Sequence, residues 1–241
     1  MLTRYFQLKP VAIFRRAALD GPGTFSNFLR ERDITQSLVC VDESASIPHD
    51  PRLFSGLVFL GGPMSVNDDL PWIADALQLI QRAVAEDIPV LGHCLGGQLM
   101  AKAMGAAVTR NPVFEIGWGR MWVEPNPVAR HWFGDCAEFQ SFHWHNETFA
   151  IPAGATRLAA SEHCANQAFA LGKHLGLQCH VEMEPDGIRA WFAASAGKVA
   201  ASAGRGAQSV VEIDAGIERY SRQLSATAGK LYARWVEGLA I

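Results

Sequence analysis

The sequence predicts an α/β protein: a mostly parallel central sheet flanked by helices, with an antiparallel hairpin region and a helical C-terminal extension. Three observations carry this expectation. Over the first hundred residues, short continuously apolar segments alternate with amphipathic ones, the pattern of parallel strands covered on both faces. From Ala107 to about Gly176 the segments become short, alternating and rich in Gly, Pro and Asn, as antiparallel strands and hairpins are. Residues 187–241 then return to helical spacing around a Gly/Ala/Ser stretch.

Taken in order, "VAIFRR" (Val11–Arg16) reads as the first strand. "TFSNFLRER" (Thr24–Arg32) reads as a short amphipathic helix after the turn "DGPG". "SLVCV" (Ser37–Val41) and "GLVFLGGP" (Gly56–Pro63) are the second and third strands, the latter stopped by Gly-Gly-Pro. Apolar residues at helical spacing over Pro71–Asp87 predict a helix with Pro71 in its first turn. "IPVLGH" (Ile88–His93) is a fourth strand, and "LGGQLMAKAMGA" a helix that ends at Gly105. "ALGKHLGLQCH" reads as a late hairpin whose second strand returns to the core. Leu231, Trp235 and Leu239 give the final helix one apolar face.

At 241 residues, 49 % of them hydrophobic and 19 % charged, the chain is read as one globular domain over 1–241, with the helical extension 187–241 packed on it. A net charge of −3 leaves no basic footprint for nucleic acid or an anionic membrane surface. No apolar run has the length of a membrane span, and the start has no signal-peptide pattern, so a cytoplasmic protein is expected. Five scattered cysteines without a CxxC pair argue against a disulfide framework and a structural zinc site.

Chemistry is concentrated at Gly92-His93-Cys94-Leu95-Gly96, a strand-to-helix join with a cysteine at its centre. Such an elbow exposes its central side chain at the C-terminal end of a parallel strand. The helix N-terminus adds free N–H groups and a positive dipole end that favour a thiolate and an oxyanion. A buried cysteine in a glycine-containing turn gives the same pentapeptide. A nucleophile needs a base, and the base an orienting carboxylate. "LGLQCHVEME" supplies His180 and Glu182 two residues apart, on one face of an extended strand. A strand-end histidine beside a solvated glutamate is the plain alternative. His143 and His145 alternate on one segment near His163 and Cys164, but no second ligand pair has metal spacing, so neither metal nor other cofactor is expected. Cys179 falls on the opposite strand face and is read as core filler. Trp118, Trp122, Trp132 and Trp144 are read as packing and rim residues, and "GWGRMW" lacks the context of a phosphate loop.

The combination of Gly-x-Cys-x-Gly-x-Gln, an upstream Gly-Gly-Pro turn and a late His-x-Glu resembles the class I (triad) glutamine amidotransferases. The likeness runs from about Val58 to Glu182, and "EIGW", "FHWHNETF" and "NQAF" resemble the stand-alone members akin to the glutaminase half of GMP synthase. This resemblance implies a flavodoxin-like fold and a triad of Cys94, His180 and Glu182. It also implies an oxyanion hole from the N–H groups of Gly62 and Leu95, and substrate contacts from Gln98, His145 and Asn146. L-glutamine or a γ-glutamyl amide is the implied substrate, with a synthase as possible acceptor of the ammonia. Three readings stand side by side: a glutaminase-type amidotransferase, a γ-glutamyl hydrolase or peptidase using the same thioester, and a non-catalytic binding module. The chain departs from the family pattern at four places. Gly97 stands where histidine or methionine is frequent, and His93 where a small or aliphatic residue is usual. Val181 replaces the proline between His180 and Glu182, and Asn146 replaces a glycine.

Overall fold

The computed structural model describes residues 8–201 and 206–240; the opening residues Met1–Gln7, part of the Gly/Ala/Ser stretch (202–205) and Ile241 lie outside the described residues. Four short parallel strands come first: β1 (Val11–Arg15), β2 (Gln36–Cys40), β3 (Gly56–Phe59) and β4 (Val90–His93). Helices α1 (Gly23–Arg30), α2 (Pro71–Ala85) and α3 (Leu95–Ala103) lie between and after them. Then follow β5 (Val108–Val123), α4 (Pro127–Phe133), β6 (Glu138–Phe149), β7 (Thr156–Ser161), β8 (Ala168–Leu171) and β9 (His174–Leu177). Two helices end the described chain, α5 (Pro185–Ala201) and α6 (Val210–Glu237).

The nine strands of the described residues join one sheet in the order β2-β1-β3-β4-β9-β8-β7-β5-β6. The pairings from β2 through β9 are parallel, and those from β9 to β6 antiparallel. The hairpin region therefore continues the parallel sheet edge to edge. β9 is the hinge of this arrangement. It returns from the hairpin with β8 and lies parallel to β4, Gly92 opposite Gly176 and His93 opposite Leu177.

Burial on both faces explains the continuous apolar runs. In β1, Val11 and Ile13 face one core cluster with α1 and α6, while Ala12 and Phe14 face the other with α2 and α3. β2 is the edge, and Leu38 is half exposed there. β4 begins at Val90, two residues later than the apolar run, because Pro89 brings no N–H to the ladder and uses only its carbonyl, toward Leu57 N. α4 lies inside the stretch read as strands and hairpins. Asn126 caps it by accepting from Ala129 N, with Pro127 in the first turn. α6 opens on a capping box, Ser209 with Glu212, and buries Leu231, Tyr232 and Trp235. Among the described residues, no helix is long and apolar enough to cross a membrane.

Candidate active site

Cys94 stands at the join of β4 and α3 with φ 49° and ψ −110°, in the strained positive-φ region that a side chain occupies only when its surroundings fix it. Its N–H donates to Leu177 O at 2.8 Å, which ties the elbow to the end of β9. Beyond Leu177 the chain runs on along the sheet's C-terminal edge. His180 N donates to Phe142 O of β6 at 2.8 Å, and the ring of Trp191 on α5 packs edge-on against the imidazole, centroids 4.9 Å apart. The topology thus brings an imidazole from late in the chain to the cavity that the Cys94 thiol lines. On its other side, His180 Nδ1 lies 2.7 Å from Glu182 Oε1, both side chains buried.

Glu182 is also held through its main chain. Thr24 N, at the start of α1, donates to Glu182 O at 2.9 Å, and Thr24 Oγ1 donates to the same oxygen at 3.3 Å. Gly23 makes this approach possible: its φ is +46°, and a Cβ there would fall 2.0 Å from Glu182 O. The turn "DGPG" therefore serves the site.

Electrostatics follow from this enclosure. Burial disfavours a charged His180, but the Glu182 carboxylate and the Cys94 sulfur outweigh it and hold the imidazole pKa well above its usual value. Burial likewise opposes ionisation of Glu182, yet His93 and His180 bring its pKa down to about 2. Asp20, in the loop after β1, is pushed up to about 6 by burial, an effect that His180 partly offsets. Arg16 is buried and brought down to about 10 by desolvation.

A cavity of about 420 Å³ opens over Cys94 and His180. Gly62, Asp20, Leu19, Trp144, Trp191 and Ser195 contribute to its walls. Leu95 supplies the first N–H of α3, which a helix leaves without an internal partner. The structure does not bring Gln98, His145 and Asn146 to the wall of this cavity. Gln98 Nε2 donates to Gln178 Oε1 at 3.1 Å, and Gln178 Nε2 in turn lies 3.7 Å from Cys94 Sγ, so Gln98 reaches the Cys94 sulfur only through a neighbour. Asn146 is exposed. His145 lies away from this cavity for a simple geometric reason: neighbours on β6 point to opposite faces. Trp144 takes the cavity side, its carbonyl 3.8 Å from Cys94 Sγ, and His145 takes the other.

There His145 Nε2 meets Glu115 Oε2 at 3.0 Å, inside a buried network with Ser161 and Gln167. Glu115, His145 and Cys164 present potential metal-ligating atoms within 4.8 Å of one another. This grouping is separate from Cys94, His180 and Glu182. Its members are already engaged: Cys164 Sγ pairs with Thr148 Oγ1 at 3.1 Å, and burial pushes that thiol up to about 11, away from the thiolate a metal would require.

Residues 25–191 match the family model of the class-I glutamine amidotransferases. The chain belongs to that family. A glutamine amidotransferase-like protein of Salmonella typhimurium, YfeJ, is 31% identical over 181 residues, 71% of this chain and 74% of that protein. A glutamine-hydrolysing GMP synthase of Bacillus subtilis is 33% identical over 133 residues, 53% of this chain and 24% of that longer protein. The crystal structure of a glutamine amidotransferase from Methylobacillus flagellatus superposes with a TM-score of 0.94 at 45% identity, covering 97% of this chain and 96% of that one.

Four residues of this amidotransferase's site escape the sequence motifs. Asp20 and Trp191 reach the cavity from a loop and from α5, where no chemical pattern marks them. Gln178 lies within "LGLQCHVEME", two residues before the histidine and on its strand face, so parity alone could have found it. His93 precedes Cys94 directly, and its position next to Glu182 emerges only in three dimensions.

Proposed function

We propose that the protein hydrolyses the side-chain amide of L-glutamine to glutamate and ammonia, through a Cys94–His180–Glu182 triad and a γ-glutamyl thioester. The observation that supports this reading is His180 Nδ1 2.7 Å from Glu182 Oε1, with His180 and Cys94 lining the same open cavity. With the thiol proton on His180, the Cys94 thiolate adds to the amide carbon. The N–H groups of Gly62 and Leu95 receive the oxyanion, and the C–N bond breaks as His180 returns the proton to the departing ammonia. Water, deprotonated by His180, then adds to the thioester carbon, and the C–S bond breaks to release glutamate and restore the thiol. Glu182 holds the imidazole in the required tautomer throughout. We take residues 1–241 as a single amidotransferase unit with 187–241 as its helical extension. It acts in the cytoplasm, its ammonia passing to a synthase partner. The test is labelling with a glutamine-like electrophile followed by peptide mapping: one adduct is expected, on Cys94, and protection by glutamine. Labelling of other cysteines with Cys94 left free rules the reading out.

A second reading has its own support. The cavity falls within the ~300–1,000 Å³ of pockets that take drug-sized ligands, and Leu19, Trp144 and Trp191 line it with apolar surface. A γ-glutamyl amide with an apolar substituent on its nitrogen suits those walls, and the same thioester chemistry would cleave it. Faster turnover of γ-glutamyl dipeptides than of glutamine would select this reading.

A further inference from the structure

Glu182 has two carboxylate oxygens, and the triad uses one. Oε1 faces His180, while Oε2 is buried with no hydrogen-bond partner among the described residues. An ionised carboxylate oxygen enclosed without a donor is unfavourable, so a side chain close by that can donate to it matters. That side chain is His93. Its Nε2 lies 3.8 Å from Oε2, and its ring is fully buried. On the far side, Tyr232 of α6 approaches the same nitrogen, Oη to Nε2 3.5 Å, with its ring edge-on to the imidazole.

We propose that His93 is a positioning residue for the Glu182 carboxylate, donating from Nε2 to Oε2, its ring steadied by the edge-on ring of Tyr232 in the last helix. This rests on the triad reading above. Consecutive residues of the elbow then serve the two ends of the site: Cys94 shares the cavity with His180, and His93 closes behind Glu182. The 3.8 Å separation exceeds a formed hydrogen bond by less than 1 Å, and catalytic hydrogen bonds are often long before substrate binds. The titratable groups that face His93 are Glu182 and His180, from the segment after β9, and Tyr232 of α6. Burial lowers the imidazole's own pKa, a shift that the neighbouring Glu182 carboxylate opposes. α6 thereby acquires a role in the chemistry although it lines no part of the cavity.

The experiment compares H93L, H93Q and Y232F with the wild type in ammonia release from glutamine across pH, and in alkylation of Cys94 by iodoacetamide mapped by mass spectrometry. H93L is expected to lower kcat about 10- to 100-fold with KM within about twofold, the scale of a partner that orients a reacting side chain. Its kcat/KM profile should lose activity at a higher pH on the acid side, because Glu182 then protonates more readily. Alkylation of Cys94 at pH 7 should slow in parallel. H93Q, whose amide nitrogen reaches toward the place of Nε2, should recover most of the loss, and Y232F, which keeps the edge-on ring, should retain the wild-type profile. Should H93L fail to fold, H93N carries the same expectation. An acid limb and alkylation rate equal to the wild type's in H93L, or no recovery in H93Q, overturns the proposal while leaving the triad intact. Turnover that survives Cys94→Ser overturns the triad reading, and this inference with it.

Discussion

Gly92 and Gly96 face each other across the elbow so closely that a Cβ on Gly92 would lie 2.4 Å from the carbonyl carbon of Gly96. A Cβ on Gly96 would meet the main-chain oxygen of Phe59 at 1.9 Å. Neither obstacle is a flexible side chain, so strand and helix would have to separate. We expect Gly96→Ala to cost about 3 kcal/mol or more and to abolish Cys94 labelling. Gly229 in α6 has open space where a Cβ would go, and Gly229→Ala should stabilise by about 0.5–1 kcal/mol. Thermal unfolding of the two variants, read side by side, checks both signs.

Asp20 gives a pH-dependent prediction. Its folded pKa of about 6 lies above the ordinary 3.8, so folding favours the protonated acid. The associated stability is fully present below about pH 4 and is lost as the pH rises through 6. Asp20→Asn should therefore match the wild type near pH 4 and exceed it by about 1–2 kcal/mol at pH 8. Urea unfolding at the two pH values measures the difference, and a gain confined to low pH would contradict that sign.

Much of this architecture was legible in the sequence, for a physical reason. β1, β3 and β4 are buried on both faces, and such strands announce themselves as unbroken apolar runs. α4 was not, because seven residues make too short a helix to establish a period, although Asn126-Pro127 carries a capping signal. At the site, Cys94, His180 and Glu182 stood out because elbow and base each have a local pattern. His145 was legible as a β6 residue but not by its face. Which parity of that strand meets the cavity is set by the bridge of Phe142 to His180, a contact between segments far apart in sequence. Asp20 and Trp191 depend on the same kind of long-range placement.

The Glu115–His145 contact, 3.0 Å and buried, predicts strong coupling. Glu115→Gln alone should destabilise by about 3 kcal/mol, since His145 and Gln167 lose a charged acceptor. The double variant Glu115→Gln/His145→Leu should be less destabilised than the sum of the single ones, with about 1–3 kcal/mol of interaction energy. A double-mutant cycle by denaturant unfolding reads this directly.

Glu182→Gln keeps the shape of the orienting side chain and removes its charge. Without that carboxylate His180 loses both its tautomer restraint and the interaction that raises its pKa. We expect kcat for glutamine to fall by about 10²–10⁴, with KM changed far less. Steady-state kinetics on the folded variant decides it.

The most direct measurement is ammonia release from a panel of glutamine and γ-glutamyl amides, comparing wild type with Cys94→Ser. An active wild type and a folded variant with no turnover on any of them is the expected result. A serine variant that still frees ammonia at the parental rate would mean that the sulfur at the end of β4 is not the group that attacks.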